Sequence, residues 1–281
     1  GLPESAGDSA LADADDRPDA AERQARALAT LKLSHPVGVQ CEYSNFNYNI
    51  AGLVVEAVSG ETYADYIQKH IFTPLEMHHS YTSRVTAQEN GLAMGHRHWF
   101  SLPWPAPDMP DAYGSLPSGG LVSSAEDMAH YAMAMDNAGI YKGNQLLTAQ
   151  GMDMLFAPVQ GYGMGWFVEQ GHVYHGGANE TFKTYVDIYP LRDMSIVLLI
   201  NQGYMLDHFI SADQIFYGVE AIALGRVPPP VTQGWSVKHI GWALLAFVMA
   251  LSALHVRNFR SLRGWRERAR NWSTGRKILD T

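Results

Sequence analysis

The sequence predicts an α/β fold, an antiparallel sheet accompanied by helices, joined to one C-terminal helix of membrane-crossing length. Three observations carry this expectation. Apolar residues recur at helical spacing over 47–58 and again at Met128, Tyr131, Ala132 and Met135. Four β-rich runs, 162–168, 172–175, 183–189 and 194–200, follow one another with short turns at Gly171, Gly176-Gly177 and Leu191-Arg192-Asp193, the pattern of an antiparallel meander. Finally, 240–254 is apolar apart from Ser252.

In chain order, 4–19 is rich in Ala, Asp, Ser and Gly and reads as a solvated loop, and 20–33 reads as a helix. The stripe Ile50, Leu53, Val54, Ala57 and Val58 marks the next helix, with Gly60 at its stop. Thr62-x-x-Asp65 resembles a capping box opening a helix to about Phe72, before Pro74. No period survives over 94–120, which holds five prolines with His96, His98, Trp99, Trp104 and Tyr113. A long aromatic loop of this kind is either functional or an Ω-like surface loop packed on its own side chains. Ser124-x-x-Asp127 caps a further helix that stops by Gly139, and Thr148 starts a short one to Phe156. A last domain helix is expected over 206–224.

Pro228-Pro229-Pro230 stiffens a linker over 228–236. The 22 residues of 235–256 suffice to cross a bilayer core, which predicts a domain over 1–227, a span over 237–256 and a basic tail over 257–281. A buried or interfacial helix is the alternative. The tail carries eight Lys/Arg against Glu267 and Asp280, so the positive-inside rule puts it in the cytoplasm and the domain outside.

The formal net charge of −8 is thus split, with a basic tail on an acidic domain. Cations confined to one short tail do not form a nucleic-acid-binding face. The 281 residues suit one large domain or one domain with an appendage. The single cysteine, Cys41, permits no internal disulfide and reads as a small buried hydrophobe. Gly1-Leu2-Pro3 does not look like a translation start, so the chain is expected to be a processed protein or a fragment.

Two short motifs carry candidate chemistry: Tyr43-Ser44-Asn45 ahead of a helix, and His175-Gly176-Gly177 between two expected strands. Alone, Tyr43 reads as a core aromatic, Asn45 as a helix cap, and His-Gly-Gly as a turn. Their flanks say more. Gly1-Leu2-Pro3, the segment 38–52 around Tyr-Ser-Asn-x-x-Tyr, and Ile71-Phe72-x-Pro74-Leu75-x-Met77 come first. Ser118-Gly119-Gly120-Leu121-Val122-Ser123-Ser124-x-x-Asp127-Met128 and Tyr162-Gly163-Met164-Gly165-Trp166 follow, in order, before His175-Gly176-Gly177. This series resembles the serine β-lactamase and penicillin-binding-protein superfamily, in particular its class C-like branch, over residues 1–201.

The resemblance implies an antiparallel sheet flanked by helices with a helical lobe, and a site between sheet edge and lobe. It implies an acyl-enzyme on a serine, formed on a D-alanyl peptide, a β-lactam or a small ester, with no cofactor. Tyr43 would accept and return the proton, and Asn45 would hold the substrate amide and orient a lysine. A phenol ionises near pH 10, so Tyr43 would need cationic neighbours to act as a base. His175 would stand in the place of a lysine and grip a substrate carboxylate less firmly than a fixed cation. Ser44, Gly176, Gly177 and Asn179 would line the substrate, with the strand after the glycines offering a pairing edge. Asn179 stands where a membrane-bound subgroup has Asn-Pro-Asn-Phe/Tyr. The departure is the nucleophile: no serine here has a lysine three residues on, and the family's Ser-x-x-Lys precedes the Gly-Leu-Pro. A truncated hydrolase, or a relative without catalysis that binds cell-wall peptide or a protein, are the two readings.

Two other patterns carry less. Lys183-Thr184-Tyr185 lacks the glycine of Lys-Thr-Gly and reads as ordinary strand. His96-x-His98 and His172-x-x-His175 lack supporting zinc ligands, so no metal is expected.

Overall fold

The computed structural model describes residues 2, 17, 19–30, 32–99, 102–106, 113–203, 211–230 and 237–279. It divides into two units, Gly1–His98 with Pro103–Pro229, and Trp99–Leu102 with Pro230–Thr281.

In the first unit the helices start where local chemistry dictates. Helix α1 (Ala20–Ala27) runs into a 3-10 turn at Leu28–Thr30. Helix α2 (Asn45–Ser59) is stopped by Gly60 at φ 72°, a left-handed position that favours glycine. The Thr62 hydroxyl accepts from the Asp65 amide at 3.1 Å and donates to its carboxylate at 2.7 Å, opening α3 (Tyr63–Ile67). Helix α4 (Arg84–Glu89) is capped by Ser83, α5 (Ala125–Asp136) by Ser124, and α6 (Ala149–Leu155) by Thr148. The four N-terminal amides of a helix lack partners within it, and these hydroxyls supply one each. Ser124 and Thr148 act as the sequence predicts.

The stripe that predicts α2 is not the face it buries. Phe46, Asn49 and Gly52 are buried, whereas Val54 and Val58 are 55% and 83% exposed. The reason is a close approach. A Cβ at residue 52 would lie 2.3 Å from Pro117 Cγ, so only glycine lets the turn Leu116–Gly120 close on α2.

The expected meander is a four-stranded antiparallel sheet in the order β5 (Phe167–Glu169), β6 (His172–Ala178), β7 (Lys183–Tyr189) and β8 (Met194–Ile200), separate from the short hairpin of β3 (Ile140–Tyr141) and β4 (Asn144–Gln145). Gly176-Gly177 is not the turn expected: both glycines pair within β6, and the chain reverses at 179–182. Side chains alternate across β7. Val186 and Ile188 join the core with Ala132, Met135, Met152 and Trp166, on the α5 side. Tyr185 and Tyr189 turn the other way, into a cluster with Ile196 and Phe216 of α7 (Ser211–Ala223). Helices therefore cover both faces of the sheet. Lys183, read above as ordinary strand, is buried and bonds Asp213 of α7 at 2.6 Å, and the Tyr185 hydroxyl donates to the same carboxylate.

The stretch 94–120 is not the uninterrupted loop expected. β1 (His96–Trp99) pairs in parallel with β9 (Gln202–Gly203), and β2 (Leu102–Pro105) is the outer strand. Its prolines fit an edge position, where a missing N–H breaks no ladder. Residues 100, 101 and 107–112 of that stretch lie outside the described residues, as do most of the expected loop at 4–19, the start of the helix expected over 206–224, and 231–236 of the linker.

The second unit contains α8 (Val237–Leu279), 43 residues and about 65 Å long at 1.5 Å per residue. Within it, His239–Ser261 is 23 residues and apolar enough to cross a membrane by length and composition. The helix continues through the basic segment expected as a tail.

Candidate active site

Tyr43 stands two residues ahead of α2, and the extended backbone of Ser44 (φ −150°, ψ 122°) makes the turn into the helix. The Tyr43 hydroxyl donates to Asn45 Oδ1 at 3.1 Å, so the first and third residues of the motif are joined directly. Ser44 is only 2% exposed, and its hydroxyl has no hydrogen-bond partner among the described residues. Its side chain faces the interior, so contact with a ligand is left to its backbone.

His175 lies in the middle of β6, opposite Val186 of β7. The ladder from β5 ends at Tyr174, which faces Phe167. From His175 to Ala178, β6 is paired with β7 alone among the described strands, and Gly176, Gly177 and Ala178 are exposed. That leaves a strand edge able to accept an extended peptide or an acyl group's amide. At Gly177 a Cβ would stand 2.7 Å from Thr184 Oγ1, so a side chain there would oblige Thr184 to turn. Asn179 closes the β6–β7 turn. Its side-chain oxygen accepts from the amides of Thr181 at 2.9 Å and Phe182 at 2.7 Å, and from the Thr181 hydroxyl at 3.3 Å. The carbonyl of Asn179 is therefore committed to the turn that fixes the end of this edge.

Folding brings the two motifs together across the chain. The Tyr43 and His175 ring centroids are 6.1 Å apart. Tyr162 stands beside both, edge-on to Tyr43 at 5.8 Å, with its hydroxyl 3.4 Å from His175 Nε2. The Tyr48 hydroxyl lies 2.7 Å from that of Tyr162, and Phe167 stacks on the imidazole at 5.7 Å. Tyr48 and Tyr162 were quoted above only as parts of family segments. Their aromatic character within Tyr-Ser-Asn-x-x-Tyr and Tyr-Gly-x-Gly-Trp was the available signal. Placement of Tyr162 depends on Gly163, where a Cβ would lie 2.6 Å from the Leu155 carbonyl at the end of α6.

This cluster is electrically quiet. Burial, and then the neighbouring Tyr48, push the Tyr43 phenol up from its ordinary value. Burial likewise raises Tyr48 and Tyr162. His175 is pushed down by burial, partly offset by a backbone hydrogen bond with Gly176. Each group is thereby driven toward its neutral form. The cationic neighbours that Tyr43 needs as a base are not among the groups that act on it here. Cys41 is half-buried, not buried as expected; its amide is bonded to Gln160 Oε1 at 3.0 Å, near the chain surface. The two histidine pairs do not converge on a metal: among the described residues no group of three or more His, Cys, Asp or Glu could hold one.

The Ser124-x-x-Asp127 segment proves structural. Asp127 is 2% exposed, and its carboxylate accepts from the His79 amide and the Ser80 hydroxyl, both at 2.7 Å. It ties 79–80 to the start of α5.

A family model described as Beta-lactamase matches residues 1–218. The chain belongs to the beta-lactamase family. Among curated relatives, Protein flp of Staphylococcus aureus (strain MW2) is 28% identical over 193 residues, 63% of this chain and 36% of that protein. Putative penicillin-binding protein PbpX of Bacillus subtilis (strain 168) is 27% identical over 165 residues, 57% of this chain and 39% of that one. The chain thus spans little more than a third of the length of these relatives. Among solved structures, the octameric penicillin-binding protein homologue from Pyrococcus abyssi matches with a TM-score of 0.65 at 22% identity, covering 82% of this chain and 55% of that one. A class C beta-lactamase matches with a TM-score of 0.54 at 20% identity, covering 66% and 59%. At these identities the structural matches establish the family's fold.

Proposed function

We propose that this chain forms the proton-handling and substrate-edge part of a membrane-anchored serine hydrolase of the cell envelope. It would act through an acyl-enzyme on a D-alanyl peptide, a β-lactam or an ester. The observation that carries the reading is the convergence of Tyr43, Asn45 and His175 beside the stretch of β6 that pairs with β7 but no longer with β5. An acyl donor laid along His175–Ala178 bonds to the strand's backbone, and a backbone amide there can face the developing oxyanion. Tyr43 accepts the nucleophile's proton and returns it to the leaving group. Because burial holds its phenol neutral, Tyr43 becomes a base only when a cation, in this family the lysine of Ser-x-x-Lys, stands beside it. That motif does not occur in these 281 residues, so acylation belongs to a form of the protein that carries it. The helix His239–Ser261 would anchor the domain, with the domain outside and the basic segment in the cytoplasm.

The neutral cluster also favours a second reading, a membrane-anchored module that binds cell-wall peptide or a protein without turnover. One experiment separates the two. The longest product of the gene is exposed to a fluorescent penicillin and a reactive phosphonate ester and examined by intact-mass spectrometry, with Tyr43→Phe in parallel. A covalent adduct, formed ~10²–10⁴-fold more slowly in Tyr43→Phe, is expected for the hydrolase. The absence of any adduct would leave the binding module.

A further inference from the structure

A cavity of about 570 Å³ lies on the α7 side of the sheet, and none of its lining residues belongs to the site around Tyr43 and His175. Its volume falls within the ~300–1,000 Å³ common for small-molecule sites. Three chain segments enclose it. The β5–β6 turn, left-handed at Gly171 (φ 92°), leads into His172. The 3-10 turn Pro190–Arg192 after β7 brings Arg192. Helix α7 brings Glu220 and, past left-handed Gly225 (φ 69°), Arg226, whose amide folds back onto the Ala221 carbonyl at 2.7 Å. Tyr189 of β7 also lines the cavity, its ring stacked on that of His172 at 5.0 Å.

Both signs of charge here lack full partners. The Tyr189 hydroxyl lies 2.9 Å from Asp187 Oδ2 and 2.9 Å from Glu220 Oε1, so two carboxylates share one donor. Asp187 is 2% exposed, and its Oδ1 has no hydrogen-bond partner among the described residues. That oxygen is 4.0 Å from Nε2 of His172, too far for a bond. On the cationic side, Arg192 and Arg226 are exposed and make no ion pair with any described residue. A bare anion in the cavity would meet Glu220 with Asp187 behind Tyr189. A bare cation would meet two guanidiniums. A small molecule bearing both charges matches both: an ammonium brings three donors and no acceptor, and a guanidinium fork fits a carboxylate.

We propose that this cavity binds a small zwitterion, an amino acid or dipeptide, whose ammonium donates to Glu220 and whose carboxylate is held by Arg192 and Arg226. Once the ligand's ammonium serves Glu220, the Tyr189 hydroxyl can turn wholly to Asp187 Oδ2, which removes the shared donor. The site takes no part in acylation, and the proposal does not rest on the hydrolase reading.

The test is calorimetric titration of the longest product of the gene, in detergent micelles, with alanine, alanyl-alanine, acetate and methylammonium. Both zwitterions should bind. Acetate and methylammonium each lack one charge and should bind about tenfold more weakly or worse. Arg192 and Arg226 are exposed and unpaired, so Arg192→Gln combined with Arg226→Gln should leave the melting temperature unchanged while weakening alanine by about tenfold or more. Glu220→Gln should weaken alanine by a similar factor without weakening acetate. Tighter binding of alanine than of alanyl-alanine assigns a free amino acid, and the reverse order assigns a peptide end. No binding of either zwitterion overturns the proposal. Acetate or methylammonium binding as tightly as alanine overturns it as well, and so does alanine binding that survives the double arginine variant.

Discussion

Two buried aspartates in this domain meet opposite fates. Asp127, at the start of α5, receives an amide N–H and a hydroxyl on one oxygen, both at 2.7 Å. Asp187, on the α7 side of β7, is equally buried but shares its donor. The single Tyr189 hydroxyl faces Asp187 and Glu220, each at 2.9 Å, and one proton cannot serve both carboxylates fully. His172 is 4.0 Å away, beyond hydrogen-bond distance. Burial therefore wins at Asp187 and lifts its carboxyl to about 6, with the Tyr189 bond only partly opposing. Donor supply, more than depth, separates a buried carboxylate that holds a fold together from one that strains it.

The contrast can be broken by substitution. Asp127→Ala removes two charge-assisted hydrogen bonds and leaves the His79 amide without its acceptor, while the Ser80 hydroxyl keeps only Ser123. A loss of ~3–5 kcal/mol in urea unfolding is expected, and a loss below ~1 kcal/mol would show that the clamp is not structural. Lys183→Met tests the α7 side from the cationic end. It leaves the Asp213 carboxylate with the Tyr185 hydroxyl, and ~2 kcal/mol should be lost in the same assay.

The smallest effect is expected at Asp187, where Asp187→Asn should change stability at pH 7 by no more than ~1 kcal/mol, toward stabilisation. Its signature is the pH dependence. A carboxyl at about 6 in the fold against an ordinary 3.8 binds its proton more tightly when folded. Its stabilising contribution is present below pH ~4 and is lost as pH rises through ~6. Unfolding midpoints taken across that window should decline for the native chain relative to Asp187→Asn; parallel curves would contradict the shift.

The same division between local and distant causes governs what could be read in advance. Thr62, Ser124 and Thr148 were legible as caps because a hydroxyl and an amide three residues on meet within one turn. The meander was legible for the same reason, since its turns are short and its alternation has a period of two. The motif residues Tyr43, Asn45 and His175 were legible through family segments. The work of Asn179 as a turn-former was missed although Asn-x-Thr-Phe at a hairpin tip could have suggested it.

With β1, β2 and β9 excepted, the sequence by itself determined the capped helices, the strands of the meander, the family and the membrane-length helix. These rest on interactions within a few residues or on composition. Only the tertiary structure decided which face α2 buries, where the β6 edge becomes free, and that Tyr162 meets both Tyr48 and His175. Those outcomes depend on which surfaces approach closely enough to exclude a Cβ, as at Gly52 and Gly163, and contacts between residues more than a hundred positions apart leave no periodicity to read.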